Sequence, residues 1–238
     1  NSKKRKNINT EITQLINKNR VSFSINSSKN NHLNPYFYEF LLKNRLFMIE
    51  NSFSKQILID QSEEKLWSGL RSSYKSLVNW GLRELDIHVY TKDNINLDIV
   101  ESFRKLHFEE AGCETRSRAS WLLQLEAVTK DEAFIVTAKS DGKLVSAGYF
   151  IINKVHSFYG SSASKFREIE KPLFHALMWK AILYCKEREI IFFETGNQYS
   201  RQEILEKEID SKNINIASFK SGFGGALFDR GCLTSCES

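Results

Sequence analysis

Hydrophobic and polar residues follow their clearest pattern between residues 155 and 196, which predicts a strand, a loop, a helix and a second strand. The segment 155–159 is short and rich in aromatic and β-branched residues, which is typical of a strand. A helix is predicted over 172–187, because apolar residues recur there at intervals of three and four and Pro172 suits a first helical turn. The unbroken apolar run 190–193 predicts a strand covered on both faces, ending at Glu194. Such a unit brings polar residues to strand and helix ends, where sites are commonly built.

Similar patterns predict elements on both sides of this unit. Strands are predicted over 56–60, 87–90, 133–139 and 143–152, and helices over 63–80, 97–111, 120–129 and 201–212. Gly81 and Gly112 are predicted helix ends, and Asp141-Gly142 is a predicted hairpin turn. Two shorter predictions are a helix or strand over 36–47 and a strand or extended segment over 214–220. From residue 97 the order is α–α–β–β–β–α–β, which indicates an α/β (α+β) domain with a mixed sheet and helices packed on it.

Composition is that of a globular protein. The chain has 238 residues, of which 41% are hydrophobic and 12% aromatic, enough for one large domain or two small ones. No apolar run approaches the roughly 18 residues of a membrane-spanning helix, so no integral membrane segment is expected. The KKRK cluster near the N-terminus has no apolar segment behind it, so it is not interpreted as a secretory signal.

The positive charge is concentrated at the start of the chain. Residues 1–34 contain seven basic residues and one acidic residue, a net charge of +6, whereas the whole chain has +5 and the remainder therefore −1. A nucleic-acid-binding domain would cluster Lys and Arg on a folded element, and the body of this chain is neutral. Two interpretations stay open for the tail: a solvated segment, or weak binding to an acidic surface such as the face of a membrane.

The four cysteines are scattered rather than paired. Cys185 falls on the predicted apolar helix face, and Cys232 and Cys236 lack the spacing and histidine partners of a zinc site. A reduced, cytoplasmic compartment and the absence of a metal site are therefore expected. The role of Cys232 and Cys236 and the oligomeric state cannot be read from the sequence.

Several local motifs, and their order, resemble one branch of the FemAB-like (Fem peptidyltransferase) family in the GNAT acyltransferase superfamily. The resemblance covers about residues 55–228. The motifs that carry it are LWSGLRSSYKSLVNWG (66–81), AGCETRSRASW (111–121), YGSSASKFREIEKPLFHALMWKAI (159–182), FFETG (192–196) and FKSGFGG (219–225).

The resemblance implies two GNAT-like lobes. On that basis we expect a basic polar tail at 1–34, a partial first lobe at 35–92, a complete acyltransferase lobe at 93–229 and a C-terminal tail at 230–238. No long heptad segment is present, so the helical arm of the classical members is not expected. The chain is more similar to the arm-less relatives associated with polysaccharide and cell-surface biosynthesis.

The resemblance also implies an activity. We expect an acyl or aminoacyl transferase that forms an amide on an amino-sugar or peptide amine in polysaccharide or cell-wall biosynthesis. The acyl group would come from a co-substrate, aminoacyl-tRNA or acyl-CoA, with no further cofactor; the neutral body argues mildly against a large tRNA contact. No Ser-His-Asp or Cys-His set has suitable spacing, so a covalent acyl-enzyme is not supported. Two alternatives stay open: a CoA-dependent GNAT N-acyltransferase, and a non-catalytic Fem-like module that binds a glycan or a polysaccharide enzyme.

The loop 165–172 bears on the choice of donor. Coenzyme-A-using GNAT enzymes are similar to one another in a glycine-containing loop whose backbone N–H groups hold the pyrophosphate. Here the loop has no glycine, two glutamates, and a proline that removes one donor. The sequence therefore disfavours that mode of binding and favours the Fem family.

Lys220 and Glu194 are the predicted catalytic residues. Acyl transfer develops negative charge on the carbonyl oxygen, and a fixed cation such as Lys220 stabilises it. The Phe219-Lys220 pair resembles the pair that the family associates with its acyl-donor site. Glu194 ends the predicted strand and is suited to hold or deprotonate the acceptor amine.

The predicted substrate-binding residues are chosen for their chemistry and position. Arg116 and Arg71 suit an acidic ligand, Trp121 offers a platform, and each has a plainer structural interpretation. His175 is interpreted mainly as structural, one turn into its helix. The remaining members of the predicted site are Phe219, Tyr159, Ser161, Ser162, Lys171, Gly222 and Phe223.

Overall fold

A computed structural model of the chain describes residues 23–26, 47–165, 169 and 171–235. By its internal contacts the chain divides into two compact units. The first contains Asn1–Ser54, Asn197–Glu208 and Leu227–Ser238, and the second contains Lys55–Gly196 and Ile209–Ala226. The second unit holds all the predicted site residues. The predicted divisions at residues 34, 92 and 229 stay predictions.

Helices and strands alternate along the chain. In order they are β1 (Phe23–Asn26), β2 (Phe47–Leu58), α1 (Glu63–Gly69), α2 (Ser72–Glu84), β3 (Asp86–Tyr90), α3 (Leu97–Ala111), α4 (Arg118–Thr129), β4 (Ala133–Ser140), β5 (Lys143–Ile152), β6 (His156–Ser164), α5 (His175–Glu187), β7 (Phe192–Gln198), α6 (Arg201–Glu206), α7 (Ser211–Ser221) and β8 (Ala226–Ser235). This arrangement confirms the predicted fold class of a mixed sheet with helices packed on it.

The sheet of the second unit is antiparallel on one side and parallel at one junction. Its strand order is β7-β6-β5-β4-β3, with the end of β2 next to β7. Strands β3 to β6 pair antiparallel in sequence, whereas β6 and β7 run parallel. The crossover between β6 and β7 is made by α5, as a parallel pair requires. The register between β5 and β6 shifts between Tyr149 and Phe150, which leaves Gly160 as an extra residue on β6.

Two apolar clusters cover opposite faces of this sheet. One packs β-strand residues such as Phe134, Phe150 and Phe193 against Leu177 and Ile182 of α5, and it also includes residues of α1 and α2. The other packs Ile135 and Ala147 against residues of α3 and α4. Strands covered on both faces explain why β4 and β5 read as nearly continuous apolar runs.

The predicted helix 63–80 is two helices, and this part of the prediction was wrong. The chain leaves helical geometry at Leu70, whose ψ is 142°, and α2 starts two residues later. Gly81 does not end α2, which continues to Glu84. Its missing side chain serves packing instead, because a Cβ there would lie 2.6 Å from Cβ of Ala176 in α5.

The predicted strand over 214–220 is also wrong, because this segment belongs to helix α7. Asp210 caps the helix by accepting a hydrogen bond from the Asn213 amide at 2.6 Å. Ala217 is buried while Ile216 is 41% exposed. The alternation of apolar and polar residues over 214–220 therefore does not mark the inner and outer faces of a strand, since the apolar Ile216 is exposed.

The central strand–helix–strand unit has shifted boundaries. Strand β7 starts at Phe192 and continues to Gln198, so Glu194 lies inside the strand rather than after it. Helix α5 starts at His175, with Pro172 before it, so His175 is the first helical residue and not one turn in. The predicted helix 201–212 is interrupted, since α6 ends at Glu206 and α7 begins at Ser211.

Several local predictions are confirmed. The Asp141-Gly142 hairpin turn has φ of 51° and 73° at its two residues, the left-handed geometry that this turn type needs. Helix α3 is capped by Asn96 and ends at Gly112 in left-handed geometry. Cys185 is fully buried in the core.

Apart from these predictions, none of the helices among the described residues is long and apolar enough to cross a membrane.

In the first unit, β1 pairs antiparallel with β8, with Phe23 opposite Leu233. Strand β1 lies within the predicted polar tail, and β8 continues into the predicted C-terminal tail. A capping box at Ser200 and Glu203 begins helix α6. The rest of the tail before β1, most of the predicted element 36–47, and residues 166–168 and 170 of the loop lie outside the described residues.

Candidate active site

The candidate site lies where strands β6 and β7 stop pairing. Their parallel register runs from His156 opposite Phe192 to Phe158 opposite Glu194. No further β6–β7 pair is present among the described residues, although both strands continue. The backbones of residues 159–161 and 195–196 therefore border an opening at the carboxyl ends of two parallel strands.

The Lys220 ammonium group occupies this opening. A Cβ built on Gly196 would lie 2.8 Å from Nζ of Lys220 and 4.0 Å from the Phe158 ring. Nζ also lies 5.1 Å from the centroid of the Tyr159 ring, within the range of a cation–π contact. No hydrogen bond or ion pair joins this ammonium to another described side chain. Burial lowers the pKa of Lys220 below its ordinary value of 10.5, and the Glu194 carboxylate acts in the opposite direction.

The end of helix α7 is held by the junction between α1 and α2. The Arg71 amide donates to the Gly222 carbonyl at 2.8 Å, and its guanidinium donates to the Ser218 carbonyl at 3.1 Å. The Tyr74 hydroxyl donates to the Phe219 carbonyl at 3.1 Å. A Cβ on Gly222 would collide with the Tyr74 ring. The helix break at Leu70 thus provides the amide that fixes the helix carrying Lys220.

Glu194 is fully buried and belongs to a polar cluster. Its Oε2 lies 3.1 Å from Nε2 of His156 and accepts a hydrogen bond of 3.5 Å from the Gln56 side chain. The His156 side chain is 23% exposed, so the cluster reaches from the interior to the surface. Thr195, the next residue, donates to the Lys55 carbonyl at 3.3 Å and ties β7 to β2.

Tyr159, Ser161 and Ser162 line the β6 side of the opening. The Tyr159 hydroxyl shares a hydrogen bond with the Ser162 hydroxyl, and burial raises the pKa of Tyr159 to about 12. The Tyr159 ring stacks on Phe150 with 5.6 Å between centroids. Ser161 is buried, and its hydroxyl has no hydrogen bond within the described part of the chain.

His175, Phe219 and Phe223 form an aromatic cluster with Tyr74. The His175 ring lies edge-on to Tyr74 at 4.5 Å and to Phe219 at 5.1 Å between centroids. Burial lowers the pKa of His175 to about 4, with a smaller opposing contribution from the Pro172 backbone. A neutral imidazole in this position packs like an aromatic residue, in agreement with the structural interpretation of His175.

Other predicted site residues lie elsewhere. Trp121 is 3% exposed in the second apolar cluster, edge-on to Phe103, and the Arg116 guanidinium lies 6.0 Å from its ring. Burial raises the pKa of Tyr149, Glu132 adds to this shift, and the nearby Arg116 guanidinium acts in the opposite direction. Lys171 is exposed before Pro172. The structure shows no contact of these residues with Lys220.

Four residues of the site were missed by sequence reasoning: Gln56, Tyr74, His156 and Gly196. Strand alternation places His156 and Phe158 on one face of β6, but only the β6–β7 register shows that this face meets Glu194. Gly196 belongs to the FFETG motif, but its role depends on its contact with Lys220 of helix α7, which lies later in the chain. Pairing between distant segments is the information that one sequence lacks.

Cavities and metal-binding groups do not mark the site. Surface cavities of about 550 and 490 Å³ lie along α3 and beside the β4–β5 hairpin, and Lys220 lines neither. We locate the candidate site at Lys220, because a partly buried charge and the strand opening coincide there. Within the described ranges, no three His, Cys, Asp or Glu side chains form a group that could hold a metal ion.

The fold defined by this sheet and its helices is shared with acyltransferase-like proteins of known structure. The C-terminal domain of a protein assigned as a lysylphosphatidylglycerol synthetase from Agrobacterium fabrum matches 84% of this chain and 64% of its own, with 13% identity and a TM-score of 0.64. FemX matches 90% of this chain and 71% of its own, with 13% identity and a TM-score of 0.66. A tandem GNAT protein from the clavulanic acid biosynthesis pathway matches 91% of this chain and 62% of its own, with 13% identity and a TM-score of 0.51.

These likenesses confirm, at the level of fold, the resemblance to the FemAB-like branch of the GNAT superfamily. The chain spans about two thirds of the length of these structures. No protein-family model and no curated protein matches the sequence significantly. At such low identity the comparisons establish the fold, and an activity has to be argued from the site.

Proposed function

We propose that the protein is an acyl or aminoacyl transferase that forms an amide on an amine of an amino sugar or a peptide, in polysaccharide or cell-wall biosynthesis. The observation that carries the proposal is the partly buried ammonium of Lys220 at the opening between β6 and β7. A cation at such a site stabilises the negative charge that develops on the acyl oxygen. Since Gly196 has no side chain, the ammonium can lie close to the β7 backbone at this opening.

Glu194 supplies the second function that amide formation needs. An acceptor amine must lose protons as its nitrogen bonds to the acyl carbon. The Glu194 carboxylate lies on β7 two residues before Gly196 and is close enough to influence the pKa of Lys220. We assign Lys220 to the acyl oxygen and Glu194 to the acceptor nitrogen, with direct attack of the amine on the donor.

The donor and acceptor are tested together. Radiolabelled aminoacyl-tRNA and acetyl-CoA are offered as donors, and glucosamine and a lysine-containing peptide as acceptors, with amide formation followed by mass and label. The name of the lysylphosphatidylglycerol synthetase domain, which refers to a lysyl group, supports the aminoacyl donor. Transfer from acetyl-CoA alone would instead favour an ordinary GNAT N-acyltransferase.

Lys220→Ala should reduce kcat on the order of 100–1000-fold, the usual loss when one donor is removed from an oxyanion site. Lys212→Ala is the matched control, because Lys212 is exposed on the same helix. Glu194→Gln should also slow transfer, and thermal melts establish that each variant is folded. Wild-type rates in Lys220→Ala would remove this residue from the mechanism, and full activity in both variants would favour a non-catalytic binding module.

A further inference from the structure

The buried carboxylate of Glu194 needs a route by which protons reach solvent. At neutral pH an amine such as that of lysine is an ammonium ion. Amide formation from an ammonium ion removes two protons from nitrogen: one is taken up by the leaving oxygen or sulfur of the donor, and one is released. That released proton must leave the site in every turnover, yet the Glu194 side chain has no exposed surface.

His156 connects Glu194 with the surface. Its Nε2 lies 3.1 Å from Oε2 of Glu194, and its side chain is 23% exposed. Gln56 also contacts this carboxylate, but an amide does not bind and release protons near neutral pH. Imidazole is the side chain best suited to proton shuttling in that range.

The position of His156 in the sheet is fixed by backbone pairing. His156 lies opposite Phe192, and two residues later Phe158 lies opposite Glu194. Asn153 holds the start of β6, since its side chain accepts hydrogen bonds from the Val155 and His156 amides at 2.9 and 2.8 Å. The ring is within ion-pair distance of Glu194 but is not aligned for a linear hydrogen bond, so a small rotation precedes proton transfer.

We propose that His156 relays the proton that Glu194 removes from the acceptor ammonium to solvent. This inference rests on the proposed transferase function. Binding of the acceptor at the strand opening brings its ammonium into contact with the Glu194 carboxylate, which takes one proton from it, and the neutral amine then attacks the acyl carbon. A C–N bond forms, the bond from carbon to the leaving oxygen or sulfur breaks, and the second proton passes to that leaving atom. Glu194 then passes this proton to Nε2 of His156, and the resulting imidazolium releases a proton to water.

The relay is tested with His156→Ala and with added imidazole. The assay uses the donor and acceptor probe from the panel above that gives transfer with the wild type. We expect His156→Ala to lower kcat on the order of 100-fold with little change in KM, because substrate contacts are not removed. Free imidazole should restore part of the rate by entering the space that the variant opens at the surface.

Two controls separate a relay from a structural role. Imidazole should not accelerate His88→Ala, which removes a half-exposed histidine on β3. It should also fail to accelerate the double variant His156→Ala, Glu194→Gln, because the carboxylate that it would serve is missing. If His156→Ala loses activity and imidazole does not restore it, the relay is wrong, whether or not the melting temperature of the variant has changed.

The outcomes also separate the relay from the transferase function. If Lys220→Ala is inactive while His156→Ala keeps the wild-type rate, the transferase proposal stands and the relay is wrong. If the wild type transfers no acyl group from any donor in the panel, the transferase proposal fails and the relay fails with it.

Discussion

The charge state of Lys220 sets the expected alkaline limit of the reaction. Stabilisation of the acyl oxygen requires the protonated amine, and burial lowers its pKa below 10.5. As the pH rises, activity should therefore begin to fall at a lower pH than the one at which an ordinary lysine loses its proton. Lys220→Arg, whose guanidinium stays charged, should lose rate through altered geometry but keep it to higher pH. A pH profile of kcat for both proteins measures this. If the fall in kcat at alkaline pH occurs at the same pH in Lys220→Arg as in the wild type, that fall is due to another group.

His175 should make stability depend on pH on the acidic side. Its pKa is about 4 in the folded protein and 6.5 when unperturbed. In that interval the unfolded chain binds a proton that the folded protein does not bind, so stability is lost as pH falls. His175→Phe removes this contribution. Its melting temperature should decrease less than that of the wild type between about pH 7 and pH 5. Because His107 also has a pKa lowered by burial and is retained in both proteins, the difference between them reports on His175. Parallel decreases would contradict the prediction.

At the scale of elements, the contact between α2 and α5 depends on Gly81. In the interior of a helix, alanine is normally more favourable than glycine by about 1 kcal/mol. Here the added Cβ would lie 2.6 Å from Cβ of Ala176, so the helices must separate. Overpacking of this kind costs about 1–3 kcal/mol, so Gly81→Ala should be destabilised on balance. Denaturant unfolding measures the change.

Gly69→Ala is the matched control for that substitution. Gly69 ends α1, and a Cβ there would meet nothing within 4 Å. The variant should be as stable as the wild type or slightly more stable. Equal effects of the two substitutions would show that helix propensity, rather than packing between α2 and α5, decides the outcome.

Elements with local signals were predictable, and those fixed by distant contacts were not. Helix α3 has its own cap at each end, and the β4–β5 hairpin has its own turn, so both follow from neighbouring residues. The break between α1 and α2 follows instead from a hydrogen bond of Arg71 to Gly222. Lys220 and Glu194 were predicted from chemistry and resemblance, whereas His156 and Gln56 required the pairing of β6, β7 and β2.

At the scale of the whole molecule, the glycine-free loop 165–172 leads to a prediction about coenzyme A. Because the loop has no glycine, two glutamates and a proline that removes one N–H donor, acetyl-CoA should bind with only millimolar affinity, near −4 kcal/mol, or not at all. Isothermal calorimetry measures this, with a coenzyme-A-dependent acetyltransferase titrated under the same conditions as a positive control. Micromolar binding would contradict the prediction and return the protein to the ordinary N-acetyltransferases.

The docking of α7 on the α1–α2 junction also has a consequence for biosynthesis. Arg71 and the Ser218 carbonyl that it binds are 147 residues apart. At about 5–20 residues per second on the ribosome, roughly 7–30 seconds separate the synthesis of these two partners. During that interval the Tyr74 ring and its neighbours lack their packing partners Phe219 and Phe223. A nascent chain stalled before α7 would therefore expose an aromatic surface to chaperones and would lack the lysine that we propose for acyl transfer.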